Sequence, residues 1–254
     1  MSKPSELSRC LVRISDTSDL GGRESNLLKP GEAVNEQWIS MGSSVTPIDH
    51  YVEQLLAQML TNERSRCTIS CKTGCISFVL ELLRIDSSEY FFTKSSAQML
   101  TLAKRYKENG VKCFPKYPLL AHHHFNRAAK CLLSFAPLEN LDPAIEGADT
   151  IAGMQSLLET LNLNISACLL KQNRFEDALH VLEYVDRQEN PTPKAIYRKA
   201  LAQFHVKQYT EAIATLQRID YAASKECSTL YANIVTTSEK DKEVYNNMVR
   251  KMFG

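Results

Sequence analysis

The sequence predicts an α+β domain over residues 1–93, followed by an all-α repeat domain over residues 94–254 that ends in a capping helix. The first observation is a repeat: residues 175–185 and 209–219 carry the same apolar pattern without a gap, 34 positions apart. A fixed period of roughly 20–50 residues is typical of stacked helical repeats. The second observation is that strand-like patterns stop before Ser95, after which only helical periodicity is found.

The N-terminal domain is predicted to contain four strands and one helix. Short strands are expected at 10–14 and 34–39. A helix is expected to open at Pro47, because proline is well placed in a first turn, and to end at 62–63. Its apolar stripe at helical spacing comprises Val52, Leu55, Leu56, Met59 and Leu60. The remaining strands are expected at 65–70 and 74–85, joined by a turn at 71–74, with the domain boundary at 86–94.

The C-terminal domain is predicted to contain three helix pairs. The first pair spans 97–137, and an acidic connecting segment at 138–153 follows it. The helices of the second pair are expected at 154–172 and 174–187, those of the third at 193–206 and 209–221, and the capping helix at 225–252. A concave surface that binds other polypeptides is the usual product of such stacking.

Composition and charge exclude several classes of partner. The chain has 254 residues, 44% of them hydrophobic, and a formal net charge of +1, so no overall field attracts nucleic acid or membrane. No apolar run approaches the roughly 18 residues of a membrane span. We therefore expect a cytoplasmic protein with protein partners, and the sequence leaves a nuclear location open as well.

Several cysteines and histidines are spaced closely enough to be candidate metal ligands. Cys67, Cys71 and Cys75 recur at four-residue intervals, but the second ligand pair of a usual zinc site is absent. We favour reduced structural cysteines, as is usual for cytosolic proteins. His122 to His124 are adjacent and point in different directions around a helix, so we expect a solvated face with one imidazole turned inward. No metal or cofactor is predicted.

The N-terminal half resembles the macrolide-binding immunophilins (FKBP), a prolyl isomerase family. The resemblance rests on 41–42, on the helix segment 51–56, on 64–69 and on the strand 78–83. It implies that Tyr51 stands in the place of the tryptophan on the pocket floor and that Phe78 matches an aromatic wall. The other pocket residues have no counterpart. The resemblance therefore implies a reduced and inactive isomerase domain in which these two residues are vestigial.

No other chemistry is evident in the sequence. Nucleotide-binding, zinc-protease and hydrolase motifs are missing. Asp49, His50 and Tyr51 could form an acid–base cluster, but adjacent residues at a helix start more often form a solvated cap. We therefore predict that the chain is not an enzyme, and a feeble isomerase is the best form of the alternative.

The helical half resembles tetratricopeptide (TPR) repeats of co-chaperones, which hold acidic C-terminal peptides of heat-shock chaperones with a carboxylate clamp. The residues that match the clamp are Lys107, Asn164, Lys194 and Arg198. Ammonium, guanidinium and amide donors suit carboxylates because charge-assisted hydrogen bonds are strong. Val111 stands where the resemblance expects an asparagine, and it cannot donate to a carboxylate.

The whole chain resembles a reduced FKBP-like/TPR co-chaperone. This resemblance implies an adaptor that binds a casein kinase I partner and promotes phosphorylation of the circadian Period protein. Three hypotheses follow: a noncatalytic scaffold or co-chaperone for a kinase, which we favour; a chaperone-tail binder without a kinase client; and a weak prolyl isomerase. Composition and spacing alone predict only a noncatalytic protein that binds other proteins.

Overall fold

Four antiparallel strands form a sheet in the computed structural model, which describes residues 2–71, 74–86, 91–186 and 191–253. They lie in the order β2-β1-β4-β3, at the positions where the sequence predicts strands. Their bounds are β1 (Arg9–Ser15), β2 (Val34–Ser40), β3 (Arg64–Cys71) and β4 (Gly74–Asp86). The expected turn residues Lys72 and Thr73 lie outside the described residues, as do 87–90 of the expected domain boundary.

Helix α1 (Pro47–Leu56) shares a buried core with the sheet. Thr46 caps its N-terminus by accepting a hydrogen bond from Asp49 N at 3.2 Å. Val52 and Leu56 are fully buried in the cluster that contains the inward-facing residues of the strands. The helix ends at Leu56, earlier than the predicted 62–63, because residues 57–63 form turns in which Asn62 takes a left-handed φ of 68°.

Helices α2 (Ser96–Cys113) and α3 (Pro118–Leu133) form the first predicted pair. A capping box between Ser95 and Gln98 starts α2. The two helices approach closely at Gly110, where an added Cβ would lie 2.5 Å from Cε1 of the buried Phe125. Only glycine at position 110 therefore allows the two helices to pack this closely.

The first compact unit, Met1–Gln155, contains the sheet together with α2 and α3. The short helix α4 (Pro143–Glu146) also belongs to it. The helices contact the loop before α1 through hydrogen bonds from Asn109 Nδ2 to Gly42 O (3.4 Å) and from Cys113 Sγ to Val45 O (3.4 Å). Because of these contacts, the first compact unit extends to Gln155, past the predicted domain boundary between residues 93 and 94.

The second compact unit, Ser156–Gly254, consists of helices. They are the main part of α5 (Ala148–Lys171), α6 (Phe175–Asp186), α7 (Pro193–His205), α8 (Tyr209–Leu216) and α9 (Lys225–Phe253). Two described bounds differ from the prediction by more than one residue: α5 begins directly after Gly147, and α8 ends at Leu216, before a short 3₁₀ turn. Arg187, the expected end of α6, lies outside the described residues.

Helix α9 closes the helical array, as the sequence predicts. Its first half buries Cys227, Leu230 and Ile234 against α7 and α8. Its last turns leave Tyr245 and Met248 exposed and carry charged residues. Within the described part of the chain, no helix combines the length and the apolar character that a membrane crossing needs.

Candidate functional site

A buried carboxylate on α1 holds the loop that precedes the helix. Glu53 is 4% exposed, and its carboxylate accepts hydrogen bonds from the backbone N–H groups of Gly42 (2.8 Å), Ser43 (3.1 Å) and Ser44 (2.8 Å). Burial raises the pKa of Glu53, and the three N–H groups partly offset that shift. Glu53 therefore fixes residues 42–44 against α1.

Asp49 anchors a second loop, so the predicted solvated cap at this position is wrong. Its side chain is buried, and it accepts hydrogen bonds from Ser25 Oγ (2.5 Å), from both nitrogens of Asn26 (3.0 and 3.1 Å) and from Leu27 N (3.2 Å). The segment 25–27 supplies these donors by folding over the helix start. Asp49 is thus a structural acceptor for a loop, and it is shielded from solvent.

The two vestigial pocket residues, Tyr51 and Phe78, are in different environments. Tyr51 lies on the solvent side of α1 and is 48% exposed. Phe78 is 0% exposed and packs in the core of the first unit together with Ile76 and Leu80. A pocket wall must offer surface to its substrate, and the ring of Phe78 offers none. Phe78 is therefore a core residue in this structure.

A groove of about 560 Å³ lies between α1 and the start of α3. Tyr51, Tyr117 and the 70% exposed Leu119 line it, together with His50 and His123, whose ring centroids are 4.7 Å apart. An open groove with aromatic and aliphatic walls suits an apolar side chain of a partner protein.

The histidines His50, His123 and His124 near this groove favour their neutral form. Burial lowers the pKa of His123 and of His124 to about 4, and it also lowers the pKa of His50. His124 is 0% exposed, and its Nε2 lies 2.7 Å from Ser44 O, while its Nδ1 is buried without a partner in the described structure. A neutral ring that donates from Nε2 explains this geometry. His124 is the imidazole that points inward.

Six of the eight cysteines are buried. All eight are free, and burial raises the pKa of Cys10 and Cys113 to about 11 and that of Cys131 and Cys168 to about 12. Thiols with such pKa values are poor nucleophiles. In the described ranges, no three His, Cys, Asp or Glu side chains are arranged to hold a metal ion.

Two of the four clamp candidates, Asn164 and Arg198, lie on helices of the second unit that contact each other. Arg198 on α7 donates from Nη1 to the carbonyl oxygen of Leu163 on α5 at 2.5 Å, and Leu163 directly precedes Asn164 in the chain. Arg198 is partly buried and has no carboxylate partner among the residues that are described, and burial lowers its pKa. Lys194, one turn earlier on α7, is exposed.

The other clamp candidate, Lys107, lies on α2 in the first unit. It is half-buried, and Val111, one turn further along the same helix, is 52% exposed. Val111, whose side chain has no hydrogen-bond donor for a carboxylate, therefore faces solvent. Asn109, between these two residues, turns inward toward Gly42 and is unavailable to a peptide.

Sequence reasoning missed the groove and the two anchoring carboxylates. Neither Glu53 nor Asp49 has a local signal, because their partners come from loops about ten and twenty residues earlier in the chain. For the groove, the exposed apolar residue Leu119 in the first turn of α3 was an available signal.

Comparison with known proteins agrees with the two-part architecture. The family profile described as "BDBT FKBP like N-terminal" matches residues 1–87, and the one described as "Bride of doubletime-like, TPR domain" matches residues 95–180. A general tetratricopeptide repeat profile matches residues 169–234. The predicted FKBP-like domain followed by TPR helices is thereby confirmed.

Relatives of known sequence or structure cover most of the chain. Protein Bride of doubletime of Drosophila melanogaster is 34% identical over 100% of this chain and 91% of its own length. The crystal structure of residues 1–211 of CG17282 is 34% identical, with a TM-score of 0.64 over 69% of this chain and 86% of that chain. The C-terminal TPR-containing domain of PFL2275c, an FK506-binding protein of Plasmodium falciparum, shares only the fold: it is 17% identical over 61% of this chain and 99% of that chain, with a TM-score of 0.54. The chain therefore belongs to the Bride of doubletime-like family, in which an FKBP-like domain precedes tetratricopeptide repeats.

Proposed function

We propose that the chain is a noncatalytic interaction scaffold that binds a casein kinase I-type kinase and promotes phosphorylation of Period. The observation that carries the proposal is the 34% identity to Bride of doubletime over the full chain. TPR and FKBP-like domains are used for binding other proteins, which supports the coarser part of the proposal. We further propose that the scaffold acts in the cytoplasm and can also act in the nucleus.

The environment of the vestigial pocket supports a noncatalytic role. Rotation about a prolyl bond has a barrier of roughly 18–20 kcal/mol, and lowering it requires a site that encloses the amide and excludes water. The buried ring of Phe78 is inaccessible, and Tyr51 is exposed. We propose that the groove beside Tyr51 contacts the kinase, because it is open and Tyr51, Tyr117 and Leu119 give its walls apolar surface.

The test combines kinase binding with kinase output. We expect the full chain to bind the purified catalytic domain of casein kinase I in a calorimetric titration and to raise the rate of Period phosphorylation. Leu119→Asp should weaken binding about tenfold, since a carboxylate placed in an apolar contact removes much of the binding free energy of that contact. Leu133→Asp, at the other end of α3 and 52% exposed, is the matched control and should change affinity less than about twofold. Absence of binding, or equal loss in both variants, would contradict the proposal.

A second candidate function is binding of an acidic chaperone tail. Arg198 favours it, because its guanidinium is half-buried and has no carboxylate partner among the described residues, and a peptide carboxylate would supply the missing charge. For a peptide ending in Glu-Glu-Val-Asp we expect binding that falls about fivefold or more in Lys194→Ala and in Arg198→Ala. Lys199→Ala, on the same helix, should leave affinity within about twofold. A titration in which the clamp variants bind as tightly as the control counts against the clamp.

A further inference from the structure

The outer face of the sheet gathers two arginines around the single tryptophan of the chain. The guanidinium carbon of Arg9 on β1 lies 4.6 Å from the ring centroid of Trp38 on β2, and that of Arg84 on β4 lies 4.9 Å from it. Both arginines are exposed, and Trp38 is half-buried. Three different strands thus bring two cations to one aromatic ring.

Neither guanidinium is neutralised by a carboxylate in the ranges that the structure describes. Asp86 lies opposite Arg9 in the pairing of β1 with β4, yet the two form no ion pair within those ranges. On the same face, Arg13 contacts both Glu36 (3.1 Å) and Glu81 (3.2 Å). The sheet therefore neutralises its neighbouring arginine and leaves this pair with unsatisfied positive charge.

Stacking on Trp38 prepares the two arginines for an oxyanion. An aromatic face holds a guanidinium in place while its N–H groups at the edge stay free to donate. Because both guanidiniums contact the same ring, we infer that both can donate to one anion bound beside it. A carboxylate carries one negative charge and two oxygens, whereas a phosphate monoester carries about −1.5 to −2 charges and three acceptor oxygens. The charge and the donor count of this pair match the phosphate better.

We propose that Arg9, Trp38 and Arg84 form a binding site for a phosphorylated serine or threonine of a partner protein. Arginine clusters are a common means of recognising phosphorylated segments. Leu11, paired in register with both Trp38 and Arg84, adds an apolar surface for the residues next to the phosphate. This site is independent of the clamp on α5 and α7, and it does not depend on which kinase the chain binds.

Trp38 provides a direct readout because its emission comes from the proposed site itself. The probes are a short glycine-rich peptide with one phosphoserine, its unphosphorylated form, its glutamate form and inorganic phosphate. We expect the phosphopeptide to change Trp38 emission of the full chain in a saturable way, with weaker binding of inorganic phosphate and of the glutamate peptide. Addition of salt should weaken the binding.

Variants are measured by the anisotropy of a dye-labelled phosphopeptide, because they alter the surroundings of Trp38. Arg9→Gln and Arg84→Gln should each lower affinity about tenfold, the usual cost of one charge-assisted contact. Arg66→Gln is the matched control: it removes the same charge from an exposed arginine that Asp16 already neutralises, and it should change affinity less than about twofold. Both substituted arginines are exposed, so the fold is retained.

Four outcomes would overturn the site. They are binding without a change in Trp38 emission, equal affinity for the unphosphorylated peptide, equal loss in Arg66→Gln, and unaltered affinity in both test variants. Equal affinity for the glutamate and phosphoserine peptides would overturn the assignment to phosphate in favour of an acidic peptide.

Discussion

Replacement of Glu53 by alanine is expected to destabilise the first unit by about 3–5 kcal/mol, because it removes a buried charged acceptor that three backbone donors share. The substitution leaves the N–H groups of Gly42, Ser43 and Ser44 without their acceptor. Removal of a carboxylate whose pKa burial raises recovers part of its desolvation cost, but each unsatisfied buried donor costs about 1–3 kcal/mol, so the loss dominates. Urea unfolding measures the change.

Two further variants test whether the loss of stability comes from the acceptor role of Glu53. Glu53→Gln retains one acceptor oxygen but sets an amide donor against backbone donors, so it should cost about half as much as Glu53→Ala. Gln54→Ala, the adjacent exposed residue on α1, should change stability by no more than about 0.5 kcal/mol. A small effect of Glu53→Ala would show that the loop at 42–44 is held by other contacts.

Acidification from pH 7 to pH 5 is expected to lower the stability of the first unit by about 2 kcal/mol through His124. The folded-state pKa of His124 is lowered to about 4, below the ordinary value of 6.5. The unfolded chain therefore binds more protons in this range, and the stability that is fully present above pH 6.5 is lost as the pH falls toward 4. The pKa of His123 is lowered as well, but its exposed surface reduces the contribution it makes.

Other titratable groups also change the stability with pH, in directions that follow from their pKa shifts. Glu53 opposes the effect, because its raised folded-state pKa favours proton uptake by the native state as the pH falls. Glu24 and Glu63 of the first unit have lowered pKa values and lose their contribution only at lower pH. Urea midpoints at pH 7 and pH 5 measure the balance. His124→Gln should flatten the pH dependence and the exposed His180→Gln should retain it, whereas equal slopes in all three proteins would exclude His124 as the cause.

The repeat period and the strand patterns predicted most of the architecture, because those signals are local. The start of α7 at Pro193 and that of α8 at Tyr209 follow from periodicity and breaker residues. The burial of Phe78 could also have been predicted, since it alternates with Ile76 and Leu80 on one face of β4. The resemblance to an isomerase pocket favoured a different interpretation of that residue.

Features that depend on strand register and loop folding could not be predicted from one sequence. Asp49 is buried because the segment 25–27 folds over it, and nothing local to Asp49 encodes that contact. Likewise, Arg9, Trp38 and Arg84 are distant in sequence, and only the pairing of β2 with β1 and of β1 with β4 brings them together. Periodicity determines which face a residue occupies, whereas register determines which residues meet there.

The central claim is that the chain acts by binding proteins and not by converting a substrate. The most direct measurement is the exchange rate between cis and trans proline in a test peptide, followed by NMR with and without the full chain. We expect exchange at the uncatalysed rate even with the chain in excess. Catalysed exchange that is lost in Tyr51→Ala would contradict it, and this exposed residue is the suitable one to replace, because truncation of the buried Phe78 would disturb the core itself.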